Sequence, residues 1–166
     1  MISEIYMFAK HFYLSKPMRI EEEIQQSRFK DEYERAMINV LFTGNWLHNL
    51  NNQFLKPYDL TVQQFNVLRI LRGQHPQKVM LNVVQARMLD RMSNASRLVD
   101  KLMAKGLLKR EACQSDRRRV DIWITAAGLT MLEQIDEKME NFQAVMQKLS
   151  AEEAQQLNFL LDKLRE

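Results

Sequence analysis

The hydrophobic pattern changes period just after Gly106, and that switch narrows the available folds more than any other feature of the chain. Before it, Ala95, Leu98, Val99 and Leu102 follow helical spacing. After it, Val120, Ile122 and Ile124 alternate with Arg119, Asp121 and Trp123, the two-residue period of a half-buried strand. Residues 107–113 supply an antiparallel partner, with the polar tip Gln114-Ser-Asp-Arg-Arg118 between the two strands. Two short helices followed by a hairpin with a basic tip is the order of a winged helix-turn-helix. The fold class expected is mainly α (α+β): a winged helix-turn-helix with a small β-hairpin wing and flanking N- and C-terminal dimerisation helices.

Local stop and start signals divide the rest. Ser93 caps the helix that Gly106 closes, glycine being suited to the left-handed C′ position, and Asn82 caps a shorter helix running to about Leu89. Upstream, Thr61-Val-Gln-Gln64 fits a capping box, with Leu60 and Phe65 as its hydrophobic staple. That helix continues through Val67, Leu68 and Leu71 and stops near Gly73 and Pro76, and residues 79–81 form one brief strand. Ile2, Ile5, Tyr6, Ala9, Phe12 and Tyr13 mark a short amphipathic helix before Pro17. A longer helix spans about Asp31 to Leu55, with Met37, Leu41, Gly44, Leu47, Leu50 and Phe54 near one side, and Pro57 ends it. Thr125 and Gly128 open a helix to about Leu149, and a second capping box, Ser150-Ala-Glu-Glu153, opens the last one. The expected organisation is an N-terminal extension (1–30), an N-terminal dimerisation helix (31–60), a DNA-binding head (61–125) and C-terminal dimerisation helices (126–166).

Several function classes drop out. No apolar run approaches the roughly 20 residues of a membrane span. The segment Met1 to Tyr13 carries Glu4 and Lys10 and lacks a small-residue cleavage site, which argues against a signal peptide. The single cysteine, Cys113, allows no internal disulfide and fits a reducing cytoplasm. His11, His48 and His75 have no second ligand at metal spacing, so no metal site is expected. No nucleophile–base pair, glycine-rich phosphate loop or paired carboxylates are visible, so neither an enzyme nor a cofactor is expected.

Charge is distributed unevenly. Residues 87–119 hold ten basic groups against four acidic ones, a net of +6, while residues 120–166 hold four against nine, a net of −5. A basic centre followed by an acidic tail suggests a polyanion-binding surface on a body that DNA repels. Within the helix that starts at Ser93, Ala95, Leu98, Val99 and Leu102 form the buried stripe, and Asn94, Ser96, Arg97 and Lys101 lie on the other side. Asn grips adenine bidentately, Arg grips guanine, and Ser adapts to either. Lys101 and Lys105 suit phosphate better than bases. On the wing, Arg117, Arg118 and Arg119 repel one another unless a polyanion is near, and a narrow minor groove attracts inserted arginine. Asp116 is expected to pair with a neighbouring arginine, Arg97 being one candidate, and so to orient the wing; Arg119 can instead pair with Asp121 or Glu111.

Four runs carry a resemblance: Leu60-Thr-Val-Gln-Gln-Phe-Asn-Val-Leu68, Ser96-Arg-Leu-Val-Asp-Lys-Leu-Met-Ala-Lys-Gly106, Asp116-Arg-Arg118 and Ile124-Thr-Ala-Ala-Gly128. Over about residues 30–165 the chain resembles the MarR family of winged helix-turn-helix regulators. The resemblance implies an obligate homodimer with interlocked N- and C-terminal helices, bound to double-stranded DNA at a pseudo-palindromic operator, usually as a repressor. It implies helix contacts from Asn94, Ser96 and Arg97, a wing contact from Arg117 or Arg118, and a conformation-fixing role for Asp116. Many members of the family release DNA when a small phenolic or other lipophilic effector enters a pocket between the dimer helices and the reading head. The chain departs from the peroxide-sensing branch in having no cysteine in residues 31–55, and from the usual family start in having residues 1–17.

The apolar series Met131, Leu132, Ile135, Met139, Phe142, Met146, Leu149, Leu157, Leu160, Leu161 and Leu164 exceeds what one small head buries, which points to a homodimer interface. Trp46, His48, Phe65 and Met37 lie near the expected pocket without identifying a ligand, and most of the eleven methionines read as core filler. The alternative is a winged-helix module that joins proteins without binding DNA.

Overall fold

The computed structural model describes residues 19–112, 120–143 and 145–166. The expected helix before Pro17, Cys113, and the wing tip with Asp116, Arg117, Arg118 and Arg119 lie outside the described residues. The elements in order are α1 (Ile20–Glu23), α2 (Glu32–Leu55), a 3-10 turn (Lys56–Tyr58), α3 (Val62–Arg72), β1 (Val79–Met80), α4 (Leu81–Arg87), α5 (Ala95–Ala104), β2 (Leu108–Ala112), β3 (Val120–Ile124), α6 (Ala126–Gln143), a 3-10 turn (Met146–Lys148) and α7 (Ala151–Lys163). They fall into two units, residues 1–49 and 50–166. Among the described residues no helix is long and apolar enough to cross a membrane.

In the first unit the start of α2 is secured by Asp31, whose Oδ1 accepts from the backbone N–H of Tyr33 (3.0 Å) and Glu34 (2.9 Å). Arg35 pairs with Glu21 of α1 at 2.8 Å. Tyr33, Met37, Val40 and Leu41 are exposed along α2 as an apolar row.

The second unit is built on the mainly helical plan with a small sheet that the sequence predicts. Thr61 and Gln64 form the expected capping box: Thr61 Oγ1 accepts from Gln64 N at 3.2 Å, and Gln64 Oε1 accepts from Thr61 N at 3.0 Å. Leu60 and Phe65, the staple pair, are both buried. The sheet is antiparallel in the order β1-β3-β2, with Val79 opposite Ile122 and Leu108 opposite Ile124. Ile122 and Ile124 point into the core, and Asp121 and Trp123 are half-buried on the outer face. There Lys78 lies 4.2 Å over the Trp123 ring and pairs with Glu111 at 2.9 Å. The core joins Val67, Leu68 and Leu71 of α3, Val84 of α4, Val99 and Leu102 of α5, and Leu132 and Ile135 of α6. Each such side chain, fully buried, contributes about 1.5–3 kcal/mol.

Some expectations are corrected. Asn82 does not cap α4: its N-cap is Met80, which has no side-chain cap bond, and Asn82 lies in the first turn. Pairing of Met80 with Asp121 makes it the last extended residue, so the helix starts two residues earlier than the polar signal suggests. The helix after Gly128 ends at Gln143 rather than near Leu149, since a 3-10 turn (Leu149 N to Met146 O, 3.1 Å) leads into the extended Leu149 that precedes the Ser150 capping box. Leu132 and Ile135, counted among the interface series, are fully buried in the head's own core.

Two glycines close the head. Gly106, at φ +70°, follows α5 in a Schellman exit: Gly106 N bonds Met103 O at 2.8 Å and Leu107 N bonds Leu102 O at 3.0 Å. Gly128, in the first turn of α6, sits directly against Leu107. A Cβ there would lie 2.3 Å from the Leu107 carbonyl oxygen and 2.7 Å from Ile124 Cγ1. Gly128→Ala is therefore expected to lower stability by about 1–3 kcal/mol through overpacking. Chemical denaturation of the variant beside the wild type checks this, and equal midpoints would contradict the close approach.

Candidate nucleic-acid interface

Helix α5 is a two-faced element. Ala95, Val99 and Leu102 are buried against α3 and α4, and Leu98 packs at the edge of the same cluster. The other side carries the exposed Arg97, Asp100 and Lys101 and the half-buried Ser96. Arg97 and Lys101 make no ion pair with another described residue. Asn94, Arg97 and Lys101 line one cleft of about 350 Å³ with Gln63 of α3, Ser93 and Leu98. Ser96 is not part of that lining.

The start of α5 differs from the sequence expectation in a way that bears on chemistry. Ser93 is not the cap. Asn94 is: its Oδ1 accepts from Arg97 N at 3.0 Å, and its backbone is extended (φ −76°, ψ 94°). Ser93 instead builds the preceding turn, its hydroxyl donating to Asp90 Oδ2 at 2.6 Å while Asp90 Oδ1 accepts from Met92 N at 3.0 Å. Bidentate recognition of adenine needs both the oxygen and the nitrogen of the carboxamide. With Oδ1 committed to the cap, Asn94 keeps its Nδ2 hydrogens as donors.

Three contacts fix α5 in the head. At its N-terminus, Gln85 of α4 donates from Nε2 to the carbonyls of Arg91 (2.8 Å) and Ser93 (3.1 Å) and accepts at Oε1 from Ala95 N (3.3 Å). In the middle, Asp100 pairs with Arg110 of β2 at 2.6 Å, linking the helix to the base of the wing. At the C-terminus, Lys105 pairs with Asp59 at 2.8 Å, beside the exit of the 3-10 turn at Lys56–Tyr58. The last two are exposed pairs, worth at most about 1 kcal/mol each, and act through orientation more than stability. Asn66 of α3 completes the turn by accepting from Leu89 N at 2.9 Å. The Asp90-x-x-Ser93 spacing is a readable Asx-turn signal, and it is missed when Ser93 is taken for the cap. Gln85 carries no sequence signal, because its partners are backbone groups six to ten residues away.

Comparisons with known proteins agree with this fold. A model described as MarR family matches residues 58–119. The HTH-type transcriptional regulator PecS of Dickeya dadantii (strain 3937) is 30% identical over 110 residues, 64% of this chain and 66% of that regulator, just under two thirds of its length. The fold matches a mutant of MarR from E. coli complexed with operator DNA (TM-score 0.71, 24% identity, 83% of this chain and 99% of that one). It also matches BpsR of Bordetella bronchiseptica, from work on regulation of its DNA binding by 6-hydroxynicotinic acid (TM-score 0.67, 23% identity, 80% and 100%).

Because Asn94 caps α5, Asn94→Ala is expected to cost about 1 kcal/mol, whereas Asn94→Ser, which keeps a capping oxygen, stays within a few tenths. Thermal unfolding separates the two, and equal losses would refute the capping role.

Proposed function

We propose that the chain is a member of the MarR family and, on that premise, a homodimeric, sequence-specific DNA-binding transcriptional regulator. The observation that carries this reading is the outer edge of α5, where exposed Arg97 and Lys101 stand beside Asn94 on a helix fixed at both ends. Arg97 reads a base, with Asn94 Nδ2 and Ser96 as further polar contacts, and Lys101 holds phosphate. Arg117 and Arg118 insert from the wing, which Asp116 orients. A lone head contacts too few base pairs for selectivity, so two-fold pairing brings a second head to the other half of a pseudo-palindrome. Exposed Tyr33, Met37 and Leu41 on α2, and separately Phe159, Leu160 and Leu164 on α7, are apolar side chains that favour a second copy. The reading extends to a repressor released by a small effector of phenolic or lipophilic character, on the precedent of the family and of the BpsR work.

Selection from a random duplex pool tests the core of the proposal. The wild type is expected to enrich a pseudo-palindrome, with affinity falling steeply as salt rises, because phosphate contacts release counterions. Arg97→Ala should cost about 1–3 kcal/mol of discrimination at one position of each half-site. Arg118→Ala should instead weaken binding nearly uniformly across sequences. Recovery of no preferred duplex by an intact dimer would leave a protein-joining module as the better reading. Leu41→Glu combined with Leu160→Glu is expected to give monomers in sedimentation equilibrium and to abolish operator binding; a dimer that survives both changes would move the interface elsewhere.

A further inference from the structure

Gln85 makes no use of its side chain in the core, in an ion pair or on the exposed edge of α5, yet one carboxamide satisfies three backbone groups of the turn. We propose that Gln85 is a positioning residue that sets where the reading edge of α5 begins. The inference rests on the DNA-reading proposal above.

The argument starts from what holds the first turn of α5. Packing of Val99 and Leu102 fixes the helix from its middle onward, while in the first turn the buried contact is the single methyl of Ala95. The exposed pairs Asp100–Arg110 and Lys105–Asp59 act on the second and third turns. The Asn94 cap is internal to the helix and travels with it. Among the described residues, Gln85 is the side chain of α4 that bonds across to the start of α5. Its two donors hold Arg91 O and Ser93 O, and its acceptor holds Ala95 N, so it spans the turn from its last residues to the first helical one. Only a carboxamide offers two N–H donors and an acceptor in one plane at this reach. Without it, the Ser93 carbonyl and the Ala95 amide, in half-buried surroundings, need new partners, and the turn shifts to find them. Asn94, Ser96 and Arg97 are the next residues along the chain, so such a shift moves all three relative to the duplex. A contact misplaced by a fraction of an ångström to an ångström loses most of its selectivity, while phosphate attraction persists.

The test uses the full chain and an operator duplex selected by the wild type from a random pool. Affinities for that operator and for an unrelated duplex are measured by fluorescence anisotropy for wild type, Gln85→Leu and Gln85→Glu. Circular dichroism and hydrogen exchange at residues 95–97 accompany them. Gln85→Leu is expected to fold, to bind the unrelated duplex within about twofold of wild type, and to lose about tenfold in the specific-to-nonspecific ratio, the weight of one good base contact. The amides of residues 95–97 exchange faster. Gln85→Glu keeps the acceptor for Ala95 N but sets a carboxylate against two carbonyls, so it also loses selectivity, and it carries the test if Gln85→Leu does not fold. A purely structural role lowers both affinities together through the folded fraction and leaves their ratio intact. A folded variant with an unchanged ratio and unchanged exchange overturns the proposal, as does failure of both variants to fold. A wild type that selects no sequence overturns the DNA reading instead, and the exchange measurement, which needs no DNA, still tests the clamp.

Discussion

The backbone at Leu107 is the point where the second unit closes on itself. It lies just past the Schellman exit of α5, begins the approach to β2, and its carbonyl accepts from Thr125 N at 3.1 Å. Thr125 in turn donates from Oγ1 to Gly106 O at 2.8 Å and accepts from Gly128 N at 3.1 Å. Gly128 then lets α6 pass over the Leu107 carbonyl at a distance no side chain permits. The end of α5, the inner edge of the hairpin and the start of α6 are thus tied at one knot. The direction in which α5 leaves the core, and with it the direction of Arg97 and Lys101, follows from that tie. This arrangement also explains why both glycines are needed for different reasons: Gly106 for its positive φ, and Gly128 for the missing Cβ.

From this knot outward the head becomes less apolar and more dependent on single polar contacts. The stripe Ala95, Val99 and Leu102 supplies most of the energy that keeps α5 in place, but burial is indifferent to small rotations and slides of a helix. Angular and axial precision comes from directional bonds, which are Gln85 at one end, Asp100–Arg110 along the side and Lys105–Asp59 at the other end. Such a division suits a reader of DNA edges. Stability requires area, whereas selectivity requires that a few donors sit where the bases present their acceptors.

Much of this was readable in advance from residue types alone. The capping boxes at Thr61 and Ser150, the strand alternation of residues 120–124 and the stop at Gly106 each depend on neighbours within four residues, and each appears as expected. The misplaced features share a different cause. Asn82 and Ser93 carry good capping side chains, yet strand pairing at Met80 and the Asp90 turn decide where α4 and α5 begin. Leu132 and Ile135 share a helical stripe with residues beyond them, and only the packing of α6 against α3 separates core from exposed surface.

The candidate site divides along the same line. Which residues face outward from α5, and that they are basic and polar, followed from its amphipathic spacing, because a ten-residue helix with one apolar stripe has one opposite side. That Asn94 spends its oxygen on the cap, and that Gln85 reaches the turn from another helix, did not follow. These contacts join backbone groups to side chains brought together by the fold, and a backbone N–H or carbonyl looks the same at every position of a sequence until the chain is folded around it.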